Sequence, residues 1–346
     1  MSGDHSVENE EPSGLQIIDT SKGTLTTETI PDTNLEYISA DSDLTEDLPD
    51  DTESIDLIHL KIRSMEDLNL FRFKKLVQLC LRQNLIESIS EVDVLPIDTI
   101  KEVDFYDNRI KHISSNVNKL VNLENLDLSF NNIKRIKNID NLVNLENLYF
   151  VQNKIEKIEN LSTLTNLKNL ELGGNAIREI SEDSLQGLGK LEEIWLGKNS
   201  IPRLVNLNHL KSLKILSIQG NKLKKIEGLE ELENLEELYV SNNFISKIEN
   251  LEKNTKLNTL DITSNKVENI ENIKHLTQLT DLWASFNKIN QTFESIGEEL
   301  KDLPNFETIY LEGNPIQRNN ETSYRRKLIL NIGPSLQKID ATFIQG

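Results

Sequence analysis

An asparagine returns along this chain at nearly constant intervals, and that interval constrains the fold more than any other feature. Asn84, Asn108, Asn131, Asn153, Asn175, Asn199, Asn221, Asn243, Asn265, Asn287 and Asn314 are separated by 24, 23, 22, 22, 24, 22, 22, 22, 22 and 27 residues. Each closes a segment of the form L-x-x-L-x-L-x-x-N, with I-x-x-I following in most copies. Leu145-Glu-Asn-Leu148-Tyr-Phe150-Val-Gln-Asn153, Leu167-Lys-Asn-Leu170-Glu-Leu172-Gly-Gly-Asn175 and Leu235-Glu-Glu-Leu238-Tyr-Val240-Ser-Asn-Asn243 show the agreement. A unit of this size cannot bury an apolar face alone, so it must stack on copies of itself.

This period with this asparagine is the leucine-rich-repeat pattern. The fold class follows: an α/β solenoid, a leucine-rich-repeat arc with a concave parallel β-sheet, short convex 3₁₀ or helical turns and a C-terminal cap. The L-x-L core predicts a short strand whose alternate residues face inward. The I-x-x-I segment returns on the convex side and covers the parallel sheet. The asparagine, both donor and acceptor, is suited to join neighbouring repeats by a ladder in the turn after each strand. Twenty-two residues leave no room for a full convex helix, so 3₁₀ turns are expected. Ile55, Leu57, Ile62 and Met65 form a degenerate earlier copy with Leu60 at the asparagine position, giving about twelve units. The long interval before Asn314 predicts a short helix around Phe293–Leu300. The solenoid is placed at 54–317, and residues 318–346, with Tyr324-Arg-Arg-Lys-Leu328, read as the cap that a solenoid end requires.

Formal net charge is −19, from 38 basic and 57 acidic residues. The first 53 residues hold 15 of the acids and one base, Lys22, among many Ser and Thr. Such a segment buries too little apolar surface to offset its ordering entropy, so 1–53 is expected to be a disordered acidic tail. The acidic balance argues against a nucleic-acid partner. No apolar run approaches 18 residues and the N-terminus has no signal-peptide pattern, so a membrane partner is not expected either. One cysteine excludes an internal disulfide.

Chemistry is hard to find. No phosphate-loop or G-x-G-x-x-G motif is present. The five histidines stand at no ligand spacing, and no histidine neighbours Cys80 in the repeat pattern to activate it. Neither a metal, a cofactor nor an enzymatic activity is expected. The residue between the two strand leucines must instead point out of the concave sheet. That column reads Cys80, Asp104, Asp127, Tyr149, Glu171, Trp195, Ser217, Tyr239, Asp261, Trp283 and Tyr310, with Tyr106, Asp281, Glu193, Glu237 and Glu312 on its flanks. Both tryptophans and four of six tyrosines fall in this set. Exposed Trp and Tyr beside carboxylates point to a protein-binding groove for a partner with a basic or polar rim.

Cys80-Leu-Arg-Gln-Asn84, Leu126-Asp-Leu-Ser-Phe-Asn131, Leu216-Ser-Ile-Gln-Gly-Asn221, the Asn314-Pro-Ile and Tyr324-Arg-Arg-Lys stretches and the ending Gln337-Lys-Ile-Asp-Ala-Thr-Phe343 resemble the leucine-rich-repeat regulatory subunits of protein phosphatase 1. The resemblance spans about 54–346 and leaves out the acidic tail. It implies a non-catalytic subunit that holds the phosphatase catalytic subunit on its concave face, with Asp127, Tyr149, Glu171, Trp195, Asp261, Asp281, Trp283 and Tyr310 at the contact positions. Tyr149 and Trp195 stand where the family often has Phe, and Asp281 where it often has Glu. The resemblance further implies a role in phosphatase maturation, activity or location, a small inhibitor subunit as an additional partner, a nuclear and cytoplasmic location, and work in mitotic dephosphorylation. The same groove would also serve a repeat adaptor for a different intracellular partner. An activator of a small GTPase is less compatible with the short period and the lack of an evident arginine finger.

Overall fold

A computed structural model describes residue 41 and residues 43–344. Twelve three-residue strands, from Ser54–Asp56 to Thr308–Tyr310, pair in parallel in strict sequence order. Lys338–Ile339 extends the parallel sheet, and Thr342–Phe343 folds back antiparallel to end it. In each repeat strand the middle residue is buried, as Leu126, Leu148 and Leu282 show. The convex return is irregular or 3₁₀, for example Ser90–Val94 and Ser115–Lys119. One continuous apolar core runs the length of the solenoid from Ile55 to Ile339.

Each asparagine of the ladder joins two repeats. The Asn221 Oδ1 accepts the Ile201 N–H at 2.9 Å, and its Nδ2 donates to Leu196 O at 3.0 Å in the preceding repeat and to Ile218 O at 3.1 Å in its own. The arrangement repeats at Asn84, Asn108 and Asn153. Leu60 escapes the rule because among the described residues its repeat follows no other, so no earlier strand there offers groups to satisfy. Two further ladders lie outside the strands. Asn138, Asn160, Asn206, Asn250 and Asn272 adopt left-handed backbone and donate to the carbonyls of Ile113, Ile136, Ile180, Ile226 and Ile248. Asn122, Asn144, Asn166 and Asn234 donate to Ile97, Val121, Val143 and Lys211.

Both ends are closed. Helix α1 (Asp43–Glu46) covers the first repeat, where the buried Thr45 hydroxyl donates to Leu68 O at 2.9 Å. Arg72 bonds the Asp50 carboxylate and the carbonyls of Thr45 and Glu46. The expected tail of 1–53 is therefore corrected at its C-terminal end. Residues 43–53 are folded because their acids meet Arg72 and Lys75 and because the first strand's edge needs cover. The rest of that tail, 1–40 and Ser42, lies outside the described residues. Toward the C-terminus, helix α2 (Phe293–Leu300) fills the long interval. A short helix α3 (Pro315–Arg318) then leads to α4 (Tyr324–Ile332), which packs on α2 and buries Tyr324 against Phe293. The Asp340 carboxylate accepts the Leu311 and Glu312 N–H groups; in earlier repeats the first of these N–H groups goes to a carbonyl of the following strand, as Leu196 N–H goes to Ser217 O.

Candidate protein-binding face

The third residues of successive strands are in direct register, so they form one row across the concave sheet. Asp127 pairs with Tyr149, Tyr149 with Glu171, and Glu171 with Trp195. The row continues through Ser217, Tyr239, Asp261 and Trp283 to Tyr310. Parallel neighbours stand about 4.8 Å apart, close enough for each side chain to feel the next. The row divides into an acidic half and an aromatic half.

Asp104, Asp127 and Glu171 dominate the first half. Burial pushes the Asp104 carboxyl up to about 6, and the nearby Asp127 adds to it; the Tyr106 N–H and the Arg82 guanidinium oppose the rise. Asp127 is also raised by burial, against a bond from the Ser129 N–H. Glu171 is raised by burial first and then by the charges of Asp127 and Glu193. Tyr149, between Asp127 and Glu171, is raised for the same reasons. Arg82, 3.1 Å from Asp104, is the one cation in an ion pair with this row among the described residues, and at the other end Lys338 lies over the Tyr310 ring at 5.2 Å. A cation brought over the half-desolvated carboxylates would interact more strongly than one on open surface.

The second half is a run of rings. Trp195 and Tyr239 lie 6.2 Å apart with planes within 20°, Tyr239 and Trp283 6.1 Å apart, and Trp283 and Tyr310 6.3 Å apart. Trp195 and Tyr239 belong to strands two apart, as do Tyr239 and Trp283. The residues between them are small, Ser217 and Asp261, and the large rings close over them, leaving 4% and 6% exposure. Ring directions are fixed by neighbouring acids. Trp195 Nε1 donates to Glu193 Oε2 at 3.3 Å, and the Tyr239 hydroxyl donates to Glu237 Oε2 at 2.6 Å. The indole N–H of Trp283 is buried with no acceptor. The rings are held in place before any partner arrives, which reduces the ordering cost of binding.

Six of the eight residues singled out from the sequence, Asp127, Tyr149, Glu171, Trp195, Trp283 and Tyr310, are half-buried in this row. Asp281 stands at the first position of the Trp283 strand, where it accepts the Thr280 hydroxyl at 2.7 Å. Asp261 departs from the expectation. It is buried between the Tyr239 and Trp283 strands and its carboxylate is turned back onto the Thr263 N–H at 2.9 Å, so it supports the rings rather than displaying a charge.

Four residues escaped the sequence-based set. Tyr239, at the centre of the ring run, was in the outward column but had no family position to mark it. Arg82 lies over the Tyr106 ring at 4.1 Å, and Tyr106 meets Phe130 at 4.8 Å, which extends the aromatic surface to the acidic end. Phe130 carried a readable signal. It fills the position before the ladder asparagine, where the backbone is left-handed (φ 54°) in a way that favours Gly or Asn over a bulky ring.

Comparison with known proteins agrees with this architecture. Residues 143–187 and 233–275 match the family described as leucine rich repeats (2 copies). An internalin from Listeria monocytogenes shares the fold at a TM-score of 0.65 and 22% identity, over 88% of this chain and 94% of its own. Protein phosphatase 1 regulatory subunit SDS22 of Schizosaccharomyces pombe is 46% identical over 97 residues, 28% of this chain and 27% of its own. The subunit of the same name from Saccharomyces cerevisiae is 79% identical over 319 residues, 92% of this chain and 94% of that protein. This chain, with its twelve stacked repeats and capped ends, belongs to the SDS22 family of leucine-rich-repeat regulatory subunits of protein phosphatase 1.

Proposed function

We propose that this chain is a non-catalytic regulatory subunit that holds the catalytic subunit of protein phosphatase 1 on its concave face. The observation that carries the reading is the continuous row from Asp104 to Tyr310, with desolvated carboxylates at one end and four fixed rings at the other. A partner that fits offers cations to the first half and apolar pockets to the second. The name of the 79% identical yeast relative supports the identity of that partner. The mechanism is rigid recognition: preformed anchors dock on the catalytic subunit and bias its maturation, activity or location. In the same reading a small inhibitor subunit joins the complex, and the protein acts in nucleus and cytoplasm during mitotic dephosphorylation.

The test is affinity capture of the full chain from cell extract beside a Trp195→Ala/Trp283→Ala double variant, with partners identified by mass spectrometry. Each truncation removes about 2 kcal/mol of binding, roughly thirtyfold in Kd, if the ring is a hot spot. Capture of the phosphatase by the native chain alone supports partner and face together. Equal capture by both refutes the face, and absence from both refutes the partner.

A further inference from the structure

A second surface lies on the edge of the solenoid, where the chain leaves each strand and turns to the convex side. The residue directly after the ladder asparagine is Arg109, Lys154, Lys222, Lys266 or Lys288 in five of the eleven repeats, and it is acidic in none. In a chain with 57 acids and 38 bases, that column is a segregated positive strip. Its densest part falls in four consecutive repeats. The N–H groups of Lys222, Phe244, Lys266 and Lys288 donate to Ile201, Leu223, Ile245 and Val267 of their preceding repeats at 2.8–2.9 Å, which sets the four residues in one line. All four are exposed. Lys222 and Lys288 have no carboxylate partner among the described residues. Lys266 lies over the Phe244 ring at 4.9 Å.

Apolar surface is interleaved with this charge. Phe244 is 46% exposed and Phe286 54%. Phe286, like Phe130, sits in the left-handed backbone position before its asparagine (φ 56°), a conformation that costs a bulky residue energy that Gly or Asn would not spend. Its ring leans over Gly313 of the next repeat, where any Cβ would collide with it at 2.4 Å. Phe286 and Lys288 flank the same ladder asparagine, Asn287.

We propose that this edge is a docking strip for an extended acidic polypeptide segment that presents carboxylates and apolar side chains on the same face. The charge is complementary to such a segment. A nucleic-acid strand fits less well, because Lys266 already covers one face of the Phe244 ring, which a stacked base would need. The strip is separate from the concave row, so it is open while that row is occupied, and the inference does not depend on which protein occupies the row.

The experiment measures fluorescence anisotropy of a labelled twelve-residue peptide whose odd positions alternate Glu or Asp with Leu or Phe and whose even positions are Ser, titrated with the full chain. Lys222→Glu/Lys266→Glu/Lys288→Glu is compared with Lys253→Glu/Lys256→Glu/Lys274→Glu, which makes the same charge change in neighbouring repeats away from the strip. Phe244→Ala is the apolar probe, and phosphatase capture is read in parallel to show that the concave row is intact. The expected result is at least a tenfold loss for the strip triple, a several-fold loss for Phe244→Ala and little change for the control triple. Equal losses for both triples overturn the proposal, as does no preference over a neutral peptide. Single-stranded DNA of equal charge binding as tightly and being lost in parallel reassigns the strip to nucleic acid. Peptide binding that emerges only after removal of residues 1–40 reassigns it to the chain's own acidic segment.

Discussion

Replacing Asn221 by alanine tests the physical account of the whole solenoid, because this side chain is 5% exposed and bonds backbone groups of two repeats. The substitution removes donations to Leu196 O, Ile218 O and Gln219 O. It also strands the buried Ile201 N–H, which the Asn221 Oδ1 accepted at 2.9 Å. An orphaned buried donor costs about 1–3 kcal/mol, and each net hydrogen bond lost costs about 1 kcal/mol. With partial relaxation the total is about 3–4 kcal/mol, a large share of the roughly 5–15 kcal/mol typical of a folded protein. Urea unfolding followed by circular dichroism and tryptophan fluorescence measures it. Because repeats are coupled mainly to their neighbours, the variant should also lower the m value or separate the two probes, as the array parts near the altered repeat. Leu60→Ala is the internal comparison at the same repeat position, where no preceding repeat awaits a partner. A cost for Asn221→Ala below about 1 kcal/mol, or no greater than that for Leu60→Ala, would refute the ladder as the source of inter-repeat stability.

Three other perturbations address the ends and the acidic row. Gly297→Ala places a Cβ 2.5 Å from Asn331 O, so α2 must move away from α4; a loss of about 1–3 kcal/mol in thermal unfolding is expected, and a neutral result would mean the cap yields freely. Arg72→Ala removes the bonds that hold α1, so hydrogen exchange should rise at residues 43–53 with global stability changed by about 1 kcal/mol or less; unchanged exchange there would show that the arginine does not hold the cap. Asp104 has its folded pKa raised to about 6, so its protonated form carries the favourable contribution, present in full below about pH 4 and lost as pH rises through about 6. Asp104→Asn should therefore gain stability relative to the native chain between pH 4 and pH 8, by at most about 3 kcal/mol and less for the lost Arg82 pair. A pH-independent difference would refute the desolvation account.

The solenoid was legible in the sequence because its determinants repeat. Eleven asparagines and their leucines each state the same register, and any one may vary without obscuring the rest. The long interval before Asn314 was equally plain, and it holds α2. The two outer ladders were less visible, because Asn160 or Asn144 taken alone is an ordinary loop asparagine. Only stacking shows that its amide reaches a carbonyl of the previous repeat. The limit of the folded region was misread at residues 43–53 for a different reason. Local composition there is that of an unstructured acidic segment, whereas the order comes from Arg72 and Lys75 more than twenty residues away. The concave column was legible as a set of positions, since period two fixes which residues point outward. What it could not reveal was how neighbours share space: Asp261 belongs to the column by position and to the interior by packing.

If the concave face holds the partner as proposed, that last distinction accounts for its specificity. The positions that repeat, buried leucines and ladder asparagines, fix a rigid and nearly uniform frame. The positions that vary then act through their order along the row. Large and small residues alternate from Trp195 through Ser217, Tyr239 and Asp261 to Trp283, and only this order lets rings from strands two apart meet at about 6 Å. A second ring at Ser217 would leave no room for the first two to close. Composition alone would give the same aromatic content in any order, but one order makes a continuous apolar surface that is fixed in advance. At the other end, burial and then the charge of Asp127 raise the carboxyls of Asp104 and Glu171, an unfavourable arrangement for the free chain that a cationic partner would relieve. The frame thus supplies stability sufficient to hold an arrangement of side chains that is unfavourable by itself, and the relief of that arrangement is what a complementary surface would gain on docking.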